Sequence, residues 1–220
     1  MTAPLMQQQV CIGFSPYYTN KGLLNALIRY ETLVSALNCF GFAFKGKPYM
    51  GVGRNLAYTR NIYDKVNGFS THSHIPAGDD DLFVQSAATQ ANTALCLQPD
   101  AFTYSIPKTT LSAWWKQKQR HLWTGKFYKS DIKRMLSVFP IVQLLFFVNL
   151  MVWALLGAAF WYPLTLLVLK FIPEWIVKGK KSALFVSKDL RPWIPFLSAI
   201  YLCFYVMFGI SAFFARKPKW

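Results

Sequence analysis

The chain has 220 residues, of which 24 are Lys or Arg and 9 are Asp or Glu, so its formal net charge at pH 7 is +15. This charge favours anionic lipid or a phosphate-bearing ligand as the partner, and beside the apolar stretches described below it argues against nucleic acid. The 4 cysteines form no Cys-x-x-Cys pair, which excludes a metal or redox site of that spacing.

Residues 1–107 have mixed polarity with frequent Gly and Pro, and their alternating strand and helix patterns predict an α/β region. The first helix is predicted to be capped by Asn20 and to carry apolar residues at helical spacing as far as Leu37. Further helices are predicted at 61–66 and 79–90. Strands are predicted at 9–15, 37–45, 49–58, 94–97 and 102–105. The region is short for a complete α/β domain.

Residues 108–134 interleave aromatic and basic side chains, a pattern typical of an amphipathic helix at a membrane surface. Two charge-free stretches follow, 35 residues between Arg134 and Lys170 and 24 residues between Arg191 and Arg216. Because one membrane helix needs about 20 apolar residues, the first stretch predicts a helical hairpin and the second a single span. The predicted membrane region is 135–220, with spans at about 136–156, 160–176 and 192–215.

Three of the 9 acidic residues are adjacent, at Asp79, Asp80 and Asp81, directly after Gly78. A helix that begins here would hold the carboxylates ionised through its N–H groups and its positive dipole end. The grouping suggests a general base or a metal site, since it also satisfies the pattern Asp-x-Asp. A helix cap is a third interpretation, although one Asp would suffice for a cap.

Three motifs precede the predicted spans: Gly51-Val52-Gly53-Arg54-Asn55-Leu56-Ala57-Tyr58, Gly78-Asp79-Asp80-Asp81-Leu82-Phe83 and Gln117-Lys118-Gln119-Arg120-His121. Their order and spacing resemble the C-terminal half of the membrane-bound family 2 glycosyltransferases, the processive and lipid-glycosylating enzymes with a GT-A fold. The resemblance implies inverting transfer of a sugar from a nucleotide-sugar to a hydroxyl of a lipid or saccharide acceptor. It also implies a multi-pass protein, which we expect in the bacterial inner membrane with its catalytic part in the cytoplasm.

The resemblance assigns a catalytic role to the acidic motif. In the family an acidic pair opens a helix, and its second member is the base that deprotonates the acceptor hydroxyl. Aligned on this chain, the base is Asp80, and Asp79 orients it or holds acceptor hydroxyls. A neighbouring carboxylate raises the proton affinity of the base, which helps it to accept a proton.

The later family motif is Gln-x-x-Arg-Trp, in which the Arg contacts the diphosphate and the Trp lines the acceptor site. Gln117 and Arg120 match this motif. His121 stands in the Trp position, and Trp123 lies two residues later. By resemblance, these four residues are predicted to bind substrate and diphosphate.

The resemblance covers about half of the family's catalytic domain. No apolar strand ending in Asp-x-Asp precedes Gly78, so we expect an N-terminally truncated enzyme. The resemblance implies a divalent cation, Mg²⁺ or Mn²⁺, whose ligands are then expected mostly outside this chain. The alternative is a non-catalytic membrane partner or an inactive remnant of a glycosyltransferase.

Overall fold

A computed structural model describes residues 7–157 and 159–214, without the side chains of residues 210 and 212–214. The predicted third span ends at residue 215, outside the described residues. The described chain is mostly helical and carries a small mixed sheet, so the α/β prediction is confirmed only in part.

The sheet has three strands: β1 is Val10–Gly13, β2 is Leu56–Tyr58 and β3 is Thr93–Cys96. β1 is the central strand, antiparallel to β2 and parallel to β3. All four of its residues are buried, in agreement with an apolar strand that has a neighbour on both edges. The predicted strand at 102–105 is wrong, because that segment contributes only one isolated bridge, between Tyr17 and Ser105.

Seven α-helices complete the described fold. The helices of the N-terminal part are α1 at Leu23–Phe44, α2 at Arg60–Lys65, α3 at Asp79–Ala87 and α4 at Leu111–Thr124. The three that follow are α5 at Ser130–Leu155, α6 at Trp161–Ser182 and α7 at Ile194–Phe214.

The first helix differs from the prediction at both ends. The strand predicted at 37–45 is wrong, because α1 continues to Phe44, and Leu33, Ala36 and Phe40 are buried at helical spacing. Asn20 does not cap the helix, which starts after Gly22. Instead the backbone N–H of Asn20 donates to Asn25 Oδ1 at 2.9 Å. The segment before α1 is therefore fixed by a side chain of the helix itself.

α1 lies between two hydrophobic cores. Leu33, Ala36 and Phe40 pack with the sheet and α3, whereas Leu27 and Ile28 pack with α4 and α7. The second core also contains Trp114, whose ring meets Phe204 and Phe208 of α7 at centroid distances of 5.4 Å. The N-terminal part and the last helix therefore share one core.

An ion pair between buried Arg29 and half-exposed Asp189 strengthens this contact. Both terminal nitrogens of Arg29 donate to the carboxylate of Asp189 at 2.6 Å, and Nη2 also donates to the carbonyl oxygen of Val186 at 3.3 Å. Arg29 is only 4% exposed, so a bidentate partner is needed to compensate for the lost hydration of its guanidinium. The pair fixes α1 to the segment that leads into α7.

Two described helical segments are long and apolar enough to cross a membrane. The first is α5, Ser130–Leu155. The second is Lys188–Gly209, which combines the 3-10 helix Lys188–Trp193 with most of α7. They correspond to the first and third predicted spans. The second predicted span lies in α6 but does not meet the same measure, because Lys170, Glu174 and Lys178 follow one another at intervals of four residues.

The charged residues of α6 form a polar cluster against α1 and α7. Lys170 Nζ lies 2.9 Å from Glu174 Oε2, and Lys178 also pairs with Glu174. Ser198 Oγ donates to Glu174 at 2.7 Å, and Lys178 Nζ donates to the Tyr30 hydroxyl at 2.6 Å. These charges are therefore paired within the protein, and Lys170 Nζ also lies 5.7 Å from the centre of the Phe147 ring of α5.

The amphipathic segment predicted at 108–134 is divided in the structure. α4 ends at Thr124, a 3-10 turn covers Gly125–Phe127, and α5 starts at Ser130. Tyr128 between them has extended backbone angles. This break separates the surface helix from the first candidate span and turns the Tyr128 side chain toward α3.

Candidate functional site

The acidic triplet occupies the first turn of α3. Gly78 precedes it with φ 79° and ψ 26°, a left-handed conformation that glycine adopts without steric cost. No side chain caps this helix, which argues against the interpretation of the triplet as a cap. The three carboxylates instead have different surroundings: Asp79 is exposed, Asp80 is half-buried and Asp81 is buried.

Asp80 is held by two backbone donors. Gly53 N–H donates to Oδ2 at 2.8 Å, and Asp81 N–H donates to Oδ1 at 2.9 Å. Each oxygen keeps a further lone pair for a ligand. Burial raises the pKa of Asp80, although the hydrogen bonds from the two N–H groups act in the opposite direction. A fixed carboxylate with raised proton affinity suits a general base.

Asp81 points to a different partner. The Tyr128 hydroxyl, in the segment between α4 and α5, donates to Asp81 Oδ2. Burial, followed by the neighbouring Asp80 carboxylate, raises the pKa of Asp81 to about 7, although the Tyr128 hydroxyl lowers it. This hydrogen bond thus connects the acidic turn to the segment that precedes α5, the first candidate span.

A cavity of about 130 Å³, here called the carboxylate cavity, joins the acidic turn to α4. Its lining residues are Ala77, Gly78, Asp79, Asp80, Asp81, Arg120, His121 and Thr124. The structure therefore brings together Asp79, Asp80, Arg120 and His121 of the predicted site residues. A base and a cation on facing walls can act on a hydroxyl and on a departing anion.

Gln117 lies in a neighbouring cavity of about 120 Å³, here called the inner cavity. It is formed by the end of β1, by α1 and by α4, and His121 lines both cavities. Gln117 Nε2 donates to the Tyr17 hydroxyl at 3.1 Å, and the Arg54 guanidinium lies 4.8 Å from the centre of the Tyr17 ring. Gln117 and Arg54 are thus connected through one aromatic side chain.

His121 stands among cations. Desolvation, followed by the charges of Lys118, Arg120 and Arg54, lowers the pKa of His121, although part of the residue is exposed to solvent. Its ring is therefore neutral at pH 7 and can offer one donor and one acceptor to a bound ligand. Lys118 is itself paired with Glu31.

Trp123 lines neither of these cavities. It is 9% exposed, and its ring packs on Phe127 at a centroid distance of 4.9 Å. The structure thus places this predicted acceptor contact in the packing of the α4–α5 connection, away from Asp80.

The described residues do not fit the divalent cation that the resemblance implies. They contain no group of three or more His, Cys, Asp or Glu side chains that could hold a metal ion. Within the triplet, Asp81 is engaged by Tyr128 and both oxygens of Asp80 accept backbone N–H groups. All three carboxylates line the carboxylate cavity, but with Asp81 bound to Tyr128 they do not form a group that could hold a cation.

Sequence reasoning missed two contributors to the site. Gly53 belongs to the first of the three motifs but was assigned no role at the site, yet its N–H orients Asp80, and a Cβ at this position would lie 3.3 Å from Asp80 Oδ2. Its place in that motif was the available signal. Tyr128 was one of several interfacial aromatics, and no sequence pattern distinguishes it from the others.

Gly78→Ala is expected to destabilise the protein by about 3 kcal/mol, the sum of a left-handed alanine and an overpacked contact. An added Cβ would lie 1.9 Å from Thr124 Cγ2, and Thr124 is buried. Thermal unfolding in detergent measures the loss. Gly157→Ala is the matched control, since Gly157 also has positive φ but meets no described atom within 4 Å. The double variant Gly78→Ala/Thr124→Ser should recover part of the stability; no recovery would contradict the steric explanation.

One family model matches the chain, and no curated protein does. The model is described as glycosyl transferase family group 2, and it matches residues 3–214. This match covers β1 to α7 together with both cavities, and it confirms the resemblance to family 2 glycosyltransferases. The chain therefore belongs to glycosyl transferase family group 2.

Proposed function

We propose that this protein takes part in inverting transfer of a sugar from a nucleotide-sugar to a hydroxyl acceptor at a membrane surface, in polysaccharide or glycolipid synthesis. The observation that carries the proposal is the carboxylate cavity, where Asp80 and Arg120 line the same space of about 130 Å³. Membership of the family supports a transferase. The donor, the acceptor and the roles of individual residues belong to the proposal.

In the proposed reaction, Asp80 is the general base. It takes the proton of the acceptor hydroxyl while the oxygen attacks the anomeric carbon, and the bond to the nucleoside diphosphate breaks on the opposite side. The two backbone N–H groups on Asp80 hold its carboxylate in one orientation. Asp79, exposed on the same turn, holds acceptor hydroxyls or orients the base.

Arg120 binds the leaving diphosphate in this proposal, because a planar guanidinium can contact two phosphate oxygens as negative charge develops. Arg54, which approaches His121 from the inner cavity, adds a second guanidinium. Neutral His121, in the wall common to the two cavities, hydrogen-bonds the ligand between them. Gln117 contacts the substrate from the inner cavity. Trp123 supports the connection between α4 and α5 through its packing on Phe127.

The membrane setting is also proposed. α5 and α7 cross the bilayer, and α6 returns between them with its charges paired against α1 and α7. Basic residues precede α5 and lie between α6 and α7, which supports a cytoplasmic catalytic part, although the basic tail at 216–219 would then lie outside. A bacterial inner membrane is proposed from the resemblance. No step is assigned to a divalent cation, which members of the family often use, because the described side chains do not form its site.

A second candidate function is that of a non-catalytic membrane partner or an inactive remnant. The observation that favours it is the lack of a metal site among the described residues. The two candidates differ in turnover, since a partner or remnant releases no nucleoside diphosphate by itself.

The test uses membranes that contain the full chain and a panel of uridine- and guanosine-diphosphate sugars. We expect release of nucleoside diphosphate with at least one donor, and labelled sugar in a lipid or polymer fraction. Membranes without the chain provide the background. Turnover at background with every donor would favour the second candidate.

With the donor identified, Arg120→Ala is expected to weaken binding of the nucleoside diphosphate by about 10- to 100-fold, the loss of one charge-assisted contact. Lys116→Ala is the matched control, since it removes a cation from the same helix but from outside both cavities. Unchanged affinity and rate in Arg120→Ala would mean that Arg120 is an ordinary surface cation.

A further inference from the structure

A third cavity, of about 300 Å³, lies at the start of α5 on the side away from the carboxylate cavity. It is bounded by the loop after α1, the end of α3 and the first turns of α5. The lining residues used below are Lys47, Gln85, Lys129, Asp131, Ile132 and Met135. None of these residues belongs to the proposed transfer site.

The cavity lies where charge gives way to apolar sequence. Charged residues end at Arg134, and the next one along the chain is Lys170. No residue in the apolar window of α5 is buried inside the described protein. With α5 in a bilayer, Lys129 and Asp131 lie at headgroup level, and Ile132 and Met135 lie beside the first lipid carbons.

Gln85 presents an unsatisfied donor in the cavity wall. Its Oε1 accepts the backbone N–H of Lys129 at 3.1 Å, which fixes the orientation of the amide. Its Nε2 is buried and has no hydrogen-bond partner among the described residues, and Gln85 as a whole is 7% exposed. A buried donor without a partner is costly, so this position favours a ligand that brings an acceptor oxygen.

The charges of the lining indicate which acceptor fits. Lys47 and Lys129 are cations, and Lys129 Nζ donates to the backbone carbonyl oxygen of Gln85 at 2.5 Å. Asp131 is the one carboxylate of the lining, so the net charge is +1. This matches the single negative charge of a phosphodiester better than the higher charge of free phosphate.

We infer that this cavity binds the phosphate of a membrane phospholipid. Lys47, Lys129 and Gln85 Nε2 contact the phosphate oxygens, and the glycerol and first chain carbons lie against Ile132 and Met135. The inference rests on the membrane placement in the proposed function but not on the transfer chemistry. A lipid bound here contacts α3 at the end opposite the acidic turn.

Native mass spectrometry of the full chain released from detergent tests this inference, with dioleoylphosphatidylglycerol as the lipid probe. Wild type is expected to retain one lipid. Lys47→Gln should weaken retention about fivefold, the effect of one lysine at a lipid surface. Gln85→Glu, nearly equal in shape, should weaken it more, because a carboxylate replaces the donor. Lys45→Gln is the matched control, an exposed lysine of the same loop that does not line the cavity.

Four results would overturn the inference. Equal loss in Lys45→Gln and Lys47→Gln would indicate general surface charge, and no loss in either would indicate binding elsewhere. Equal retention of dioleoylglycerol, which has no phosphate, would assign the contact to the chains alone. Displacement of the lipid by millimolar inorganic phosphate would assign the cavity to free anions. Donor turnover measured in the same preparations keeps failure of the transfer proposal separate from failure of lipid binding.

Discussion

Asp80→Asn is expected to reduce sugar transfer by about two to four orders of magnitude while nucleotide-sugar binding persists. The amide keeps the size of the side chain but cannot take the acceptor proton. Its NH₂ group accepts no hydrogen bond, so one of the N–H groups of Gly53 and Asp81 loses its acceptor. The transfer rate with labelled donor measures the first effect, and donor affinity by equilibrium binding measures the second.

Asp79→Asn is the matched comparison, one residue earlier on the same turn. Asp79 is exposed and only orients the base or holds acceptor hydroxyls in the proposal, so its loss should be about tenfold or less. Turnover like that of wild type in Asp80→Asn, or equal losses in both variants, would contradict the assignment of the base to Asp80.

Asp81→Asn is expected to stabilise the protein by up to about 4 kcal/mol at pH 8. The pKa of Asp81 is about 7 in the fold and about 4 in an unfolded chain, so the folded state binds more protons between these values. Stability therefore falls as pH rises from about 4 to about 7, and an uncharged Asn removes this loss. The Asn oxygen can still accept from Tyr128.

The measurement is the thermal unfolding midpoint in detergent at pH 5 and pH 8. The stabilisation should be about 2 to 3 kcal/mol larger at pH 8, since at pH 5 Asp81 is mostly protonated in the fold. Asp100→Asn, on the surface, controls for the loss of one carboxylate. A difference between variant and wild type that does not depend on pH would contradict the origin proposed here.

The local signals in the sequence predicted local structure well. The helix start at the acidic triplet follows from Gly78 and its charged neighbours, and β1, β3 and α2 lie close to their predicted positions. The strand predicted at 37–45 failed because an apolar run of that length is compatible with either structure. What decides it is the core on each side of α1, and that depends on residues more than a hundred positions away.

The sequence likewise predicted only part of the candidate site. The resemblance implied that Asp80 and Arg120 belong to one site, and they share a cavity. It did not predict that Gln117 lies in a separate cavity or that Trp123 packs on Phe127, because both depend on how α4 turns against α1 and on where it ends. The bond between Tyr128 and Asp81 joins segments 47 residues apart, and no local pattern specifies it.

The core that α1 shares with α7 has a consequence for synthesis. α1 ends at Phe44 and α7 begins at Ile194, roughly 150 residues later. At bacterial and eukaryotic elongation rates, about 8 to 30 s pass between them. During that time Leu27 and Ile28 lack their partners in α7, and the Arg29 guanidinium lacks Asp189. The nascent protein therefore needs a chaperone or the bilayer surface to cover this face of α1.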